Sequence, residues 1–154
     1  MIKKFNEYTK ESTDFTSWYR GYTTNTKDSE YIWITSNKKH AKQYADINKY
    51  SYGGDPIVKK YFFSEDDFEL LDLYSYDMDD KVNEFEIDEF LSDIGYYYDY
   101  EDIFDIMEDK VPLSRLVNKT LSHIVSNHVN GFKIFEDGIK TIYIRKDLLN
   151  NFDN

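Results

Sequence analysis

The sequence contains no cysteine. That excludes a disulfide framework, a thiolate nucleophile and a cysteine-built zinc site, and it agrees with a reducing compartment. Nowhere do about 18 apolar residues run together, so no membrane-spanning helix is expected. The first ten residues hold Lys3, Lys4 and mostly polar positions where a secretion signal needs an apolar run. The resulting expectation is a cytoplasmic protein, of its own cell or of a host cell. A Gly-x-Ser-x-Gly elbow and a Gly-rich phosphate loop are also missing. His123 and His128 stand five apart, about 140° around a helix, and cannot share a metal as residues four apart do. Ser122 and His123, as helix neighbours, point apart. The run Asp77, Asp79, Asp80 lacks the glycine and terminal glutamate of a calcium loop. No metal is expected.

What the sequence has is rings and acid. Its 154 residues fit one domain. Only 40% are hydrophobic, but 15 Tyr and 11 Phe supply large buried areas for a core. The formal charge is −11 and it is unevenly placed. Residues 64–110 hold 19 Asp and Glu against 2 Lys, net −17; the remainder carries 11 acids and 17 bases, net +6. This argues against general nucleic-acid binding, which needs clustered Lys and Arg. An acidic block is ordinarily a solvated face; otherwise it steers a basic partner.

Along the chain, residues 1–14 read as a leader or short helix carrying Ile2, Phe5 and Tyr8. Strands are predicted at Trp18–Tyr22 and Tyr31–Thr35, then a helix over Lys38–Ala45 capped by Ser36 or Asn37. A loop is predicted over 48–56, and strands at 57–63 and 70–74. Within the acidic block, Val82, Phe85, Phe90, Leu91 and Ile94, then Ile103, Phe104, Met107 and Val111, repeat at near-helical spacing. Gly95 and the tyrosines at 96, 97, 98 and 100 separate the two. Leu113 to His128 carries one apolar helical stripe, with Pro112 at its first turn and Gly131 past its end. Strands 132–135 and 139–145 close a hairpin across Glu136, Asp137 and Gly138. The expectation is a single α+β domain over residues 1–154, with residues 64–110 as an acidic, partly helical insertion.

Two segments could carry chemistry. In the first, Trp18-Tyr19-Arg20-Gly21-Tyr22, a guanidinium able to hold phosphate or a ribose edge sits beside a glycine that lets backbone approach a ligand. Taken alone, Arg20 also reads as an edge-strand arginine in a surface ion pair. In the second, Trp33 and Tyr44 stand eleven apart, one on a strand and one two turns into a helix. Thr35 and Ser36 lie at the helix start between them, where anions are favoured. The two rings could face each other across a flat ligand ring, or simply pack into the core.

Together these segments resemble the ADP-ribosyltransferase family, chiefly its diphtheria-toxin-like and poly(ADP-ribose) polymerase-like branch. There a first strand ends in a polar residue followed by Gly, which Arg20-Gly21 matches, although that branch commonly has His where Arg20 stands. A second strand brings an aromatic, a Ser/Thr pair, and a helix with Ala and a second aromatic, matched by Trp33, Thr35, Ser36, Ala41 and Tyr44. The later order, through Asn130-Gly131-Phe132 to a closing hairpin, is similar to small bacteriophage transferases of this fold, an anti-CRISPR one among them. The likeness covers roughly residues 18–144, with specific motifs in the first third. It implies a split two-sheet β core with flanking helices. It also implies NAD as a bound substrate, with Trp33 and Tyr44 on the nicotinamide, Gly21 and Tyr22 beside it, Arg20 on ribose or phosphate, and Thr35 and Ser36 in the wall.

The family's catalytic glutamate opens the last core strand. Here Lys140 and Thr141 precede Ile142-Tyr143-Ile144, and no carboxylate stands at that place. Glu136 and Asp137 are the nearest candidates if a register shift brings one inward; otherwise they belong to an ordinary Asp-Gly turn. The functional expectation is a mono-ADP-ribosyltransferase-like protein acting on a macromolecular, chiefly protein, target without membrane association. The alternative is a non-enzymatic acidic inhibitor that mimics nucleic acid or occupies a basic protein groove.

Overall fold

The computed structural model describes residues 16–27, 29–93, 112–117 and 129–152. The predicted leader, the second acidic rhythm, the tyrosine cluster around residue 97 and most of the helix proposed after Leu113 lie outside the described residues. Among the described residues the chain is mixed α+β, with six strands and few helices. Its contacts form two compact units, Met1–Phe68 with Arg145–Asn154, and Glu69–Ile144.

In the first unit the strands are β1 (Thr16–Thr23), β2 (Tyr31–Thr35) and β3 (Pro56–Phe63), in the order β3-β1-β2 and antiparallel. The helix α1 (Lys38–Tyr52) follows β2 after two residues. Side chains alternate across a strand and directly paired residues share a face. The pairs Trp18↔Tyr61 and Arg20↔Lys59 therefore share one face, and Gly21↔Val58 and Tyr19↔Thr35 the other.

The helix lies on the Gly21 face. A side-chain carbon built on Gly21 would stand 1.7 Å from the Ala41 carbonyl oxygen and 2.8 Å from the Ala45 amide nitrogen. Ala41 and Ala45 are the buried residues of α1, so a small residue on the strand meets small residues on the helix. On the reverse face Trp18, Ile34 and Phe63 are fully buried. Trp18 stacks on Phe63 at 5.8 Å, and Phe68 and Phe152 meet Phe63 edge-on at 5.1 and 5.6 Å.

The helix runs seven residues past the predicted Ala45, through part of the expected loop to Tyr52. The carbonyls at its end are satisfied from the end of β1 and the loop after it: Asn25 Nδ2 donates to the Tyr52 oxygen at 3.3 Å and Thr23 Oγ1 to the Gly53 oxygen at 2.8 Å. Those acceptors would otherwise end a helix unpaired. The strand-end loop thus supplies what the local sequence of α1 does not.

The second unit contains β4 (Leu70–Asp77), β5 (Gly131–Glu136) and β6 (Ile139–Arg145), which reaches one residue beyond it. Their order is β6-β5-β4, with β4 parallel to β5 and β5 antiparallel to β6. The acidic helix α2 (Glu84–Asp93) and a short turn of helix, α3 (Leu113–Leu116), complete it. Leu71, Leu73, Phe132, Ile134, Ile87 and Leu113 are buried and form its core. Two backbone bonds hold α3 down, from Leu113 N–H to the Asp80 oxygen at 2.7 Å and from Ser114 N–H to the Met78 oxygen at 2.9 Å.

Candidate functional site

Strand alternation places Trp33 and Thr35 together on the face of β2 that α1 covers. Trp33 is half-buried, and so is Tyr44, which lies one residue before Ala45 on the flank of the helix. The Tyr44 ring meets His40 edge-on at 4.9 Å, and the Tyr44 carbonyl accepts from Asn48 Nδ2 at 2.8 Å. Thr35 is fully buried, and its hydroxyl oxygen accepts from the Asn37 N–H at 3.2 Å. Asn37 caps the helix: its side-chain oxygen accepts from the His40 N–H at 2.9 Å. Ser36, half-buried, joins the strand to this cap.

Two of the expected residues do not join the group. Arg20 and Tyr22 alternate with Gly21 and face the opposite side of the sheet from α1. Arg20 is buried, with its guanidinium carbon 4.2 Å from the Tyr22 ring centroid. Directly across from it stands Lys59, whose ammonium lies 5.5 Å from the Tyr61 ring. Two like charges opposed across strands repel. Each is set against the negative face of an aromatic ring two residues along its own strand, which offsets that repulsion. Gly21 is on the correct face, but the space in front of it belongs to Ala41 and Ala45. Its bareness admits a helix where the sequence suggested a ligand.

Glu136 and Asp137 belong to the second unit. The β5–β6 register is unbroken from Gly131↔Ile144 to Glu136↔Ile139, so the shift that would turn a carboxylate inward is not there. Asp137 at φ 51° and Gly138 at φ 78° form a two-residue turn of the type that right-twisted hairpins favour. Asp137 is exposed and Glu136 half-buried. Folding does bring Asp137 to Asp77 and Asp79, with one carboxylate oxygen of each within 4.8 Å of the others. Asp77 and Asp80 are already employed as turn acceptors, for the amides of Asp79 at 3.2 Å and Asp77 at 2.9 Å. The cluster is a solvated, strongly negative corner.

Sequence reasoning missed a cavity of about 510 Å³ in the first unit, lined by Ser29, Glu30, Lys146, Asp147 and Asn150. The Lys146 N–H donates to the Glu30 oxygen at 2.9 Å and holds its two walls together. Beside it Arg145 Nε lies 3.7 Å from Asp147. Burial pushes the Tyr31 phenol above its ordinary range, partly opposed by the Arg145 guanidinium and assisted by Glu30 and Asp147. The signal was hard to read because the two walls lie over 100 positions apart in the chain. Set against known proteins, the chain matches no family model, no curated protein and no solved structure.

Proposed function

We propose that this chain is an NAD-binding protein of the mono-ADP-ribosyltransferase kind, with a macromolecular, chiefly protein, target and a core of that family's split two-sheet type. One observation supports the reading above the rest: Trp33 and Thr35 share the face of β2 on which α1, the helix of Tyr44, is laid. That is the arrangement a nicotinamide held between an indole and a phenol requires. Ser36 furnishes the wall where strand passes into helix, with the buried Thr35 supporting it from behind. Arg20 and Tyr22, on the reverse face, have no part in this slot.

Transfer would proceed by departure of nicotinamide and attack of the target's nucleophile at the ribose carbon, through a cationic transition state like that of glycoside hydrolysis. A carboxylate normally steadies that charge, and losing such a group costs about 100- to 1000-fold in rate. Glu136 ends β5 and Asp137 lies in the turn after it, so turnover is assigned to neither and NAD binding comes first. Titration calorimetry with NAD tests it. The parent should bind, and Trp33→Ala should weaken binding about tenfold through the lost stacking surface. A parent that gives no heat with millimolar NAD removes the proposal.

A second reading, an acidic inhibitor of a basic protein, is favoured by the gathered carboxylates of Asp77, Asp79 and Asp137. Salt separates the two: a charge-held partner is released steeply as ionic strength rises, whereas transferred ADP-ribose persists as added mass on the denatured target.

A further inference from the structure

The strand β3 stands at the edge of the first unit's sheet: among the described residues, β1 is the one strand beside it. The Thr24 N–H donates to the Asp55 oxygen at 3.1 Å, at the pair that follows Thr23↔Pro56 in the register. Bonded pairs of an antiparallel ladder recur at every second residue, so Ile57, Lys59, Tyr61 and Phe63 turn their backbone groups toward β1. Pro56, Val58, Lys60 and Phe62 turn theirs to the outer side. Pro56 carries no N–H, and an edge is where a strand admits proline. Lys60 is exposed and Phe62 is 46% exposed, so water reaches this edge.

The same edge is basic. Residues 16–63 hold 8 Lys and Arg against 4 acids, net +4, within a chain of net −11. β2 and β3 run parallel on either side of β1 and are joined through α1. Such a crossover is right-handed, which turns the flank of α1 bearing Lys38, Lys42 and Lys49 toward β3 and the Tyr44 flank toward β2. All three lysines are exposed, and so is Lys60 on the α1 face of β3. Lys59, half-buried, projects from the opposite face.

Backbone donors and acceptors that alternate along an edge match another strand; a nucleic-acid phosphate answers the N–H groups but not the carbonyls. A second copy is a poor occupant, because pairing two β3 strands about their middle brings lysines 59 and 60 of both side by side. Lysine on an edge opposes self-pairing and admits a strand of opposite charge. We infer that β3 receives an extended acidic segment of a partner protein, added alongside it as a further strand. Backbone bonds to Val58 and Lys60 hold the segment. Its carboxylates meet Lys60, with Lys42 and Lys49 above it, on one face and Lys59 on the other. The site rests on β1, β3 and α1 alone and is independent of NAD binding.

Fluorescence anisotropy tests it with a labelled, end-capped eight-residue peptide of glutamate, valine and threonine, its two central glutamates facing opposite ways. At physiological salt the peptide should bind the parent with a dissociation constant at or below about 0.1 mM. Methylating its four central amide nitrogens keeps the charge but removes the backbone bonds, and should weaken binding at least about tenfold. Lys42→Glu with Lys60→Glu should weaken it by a similar factor, with circular dichroism showing this exposed double variant folded as the parent. The methylated peptide is read on the parent and decides the matter even where charge reversal unfolds the chain. A peptide that does not bind at about 1 mM overturns the inference. So does a methylated peptide that binds equally well, or a single-stranded oligonucleotide of equal charge that binds more tightly than the peptide. A parent that sediments at twice the 18.5 kDa chain mass and excludes the peptide overturns it in favour of a second copy.

Discussion

At the scale of single residues, two cations and a phenol of the first unit are set by rings and by burial. Arg20 and Lys59 face each other across β1 and β3 and each rests on a tyrosine of its own strand. The sequence showed the arginine and the glycine after it; only the strand's alternation decided that they point to opposite sides. Tyr31 gives a pH-dependent consequence. Its phenol is raised above the ordinary value of 10.0 by burial, so the folded state resists ionisation that the unfolded chain accepts. The stability held in the neutral phenol is present below about pH 10 and drains away as pH rises beyond it. Urea midpoints measured from neutral pH to about pH 11 should fall less steeply for Tyr31→Phe than for the parent. Parallel curves would mean that burial does not hold this phenol neutral.

Among elements, the junction of β1, β2 and α1 carries most of the argument. The sequence announced its parts well: β2 runs over Tyr31–Thr35 as predicted, and α1 starts at Lys38 behind an asparagine cap. It misjudged where α1 ends, because the groups that satisfy the last carbonyls come from the loop after β1. It also misread the reason for Gly21. In a strand, alanine in place of glycine ordinarily gains about 0.5–1 kcal/mol from the unfolded state. Here the added carbon meets backbone that cannot swing aside, so the sign should reverse. Gly21→Ala is expected to cost about 3 kcal/mol as α1 is forced off the sheet. Chemical denaturation measures it directly, and a variant as stable as the parent would show that the helix does not press on this position.

Over the whole molecule, charge segregation is the dominant property. With a net of −11 and an isoelectric point near 4.7, copies of the chain repel one another over long range at neutral pH, the more weakly as salt rises. As the carboxylates protonate, that repulsion disappears before the basic helix loses its charge. Solubility followed by turbidity should pass through a minimum near pH 4.7 and recover by pH 7. A chain equally soluble across that range would imply that its uncovered rings are shielded by something other than charge. Among the described residues, no helix is long and apolar enough to cross a membrane.

Among the described residues, the sequence by itself determined the strands, the strand-cap-helix unit, the acidic block and the Asp-Gly turn, because each follows from local propensity, periodicity or backbone geometry within a few residues. Tertiary structure alone decided which face each strand residue presents, where α1 ends, and what stands in front of Gly21. It also decided that Asp137 joins Asp77 and Asp79, and that residues near 30 and near 147 wall one cavity. Those outcomes depend on the register between distant strands, where a shift of one position exchanges the two faces. Composition and spacing along a single strand carry no record of that register.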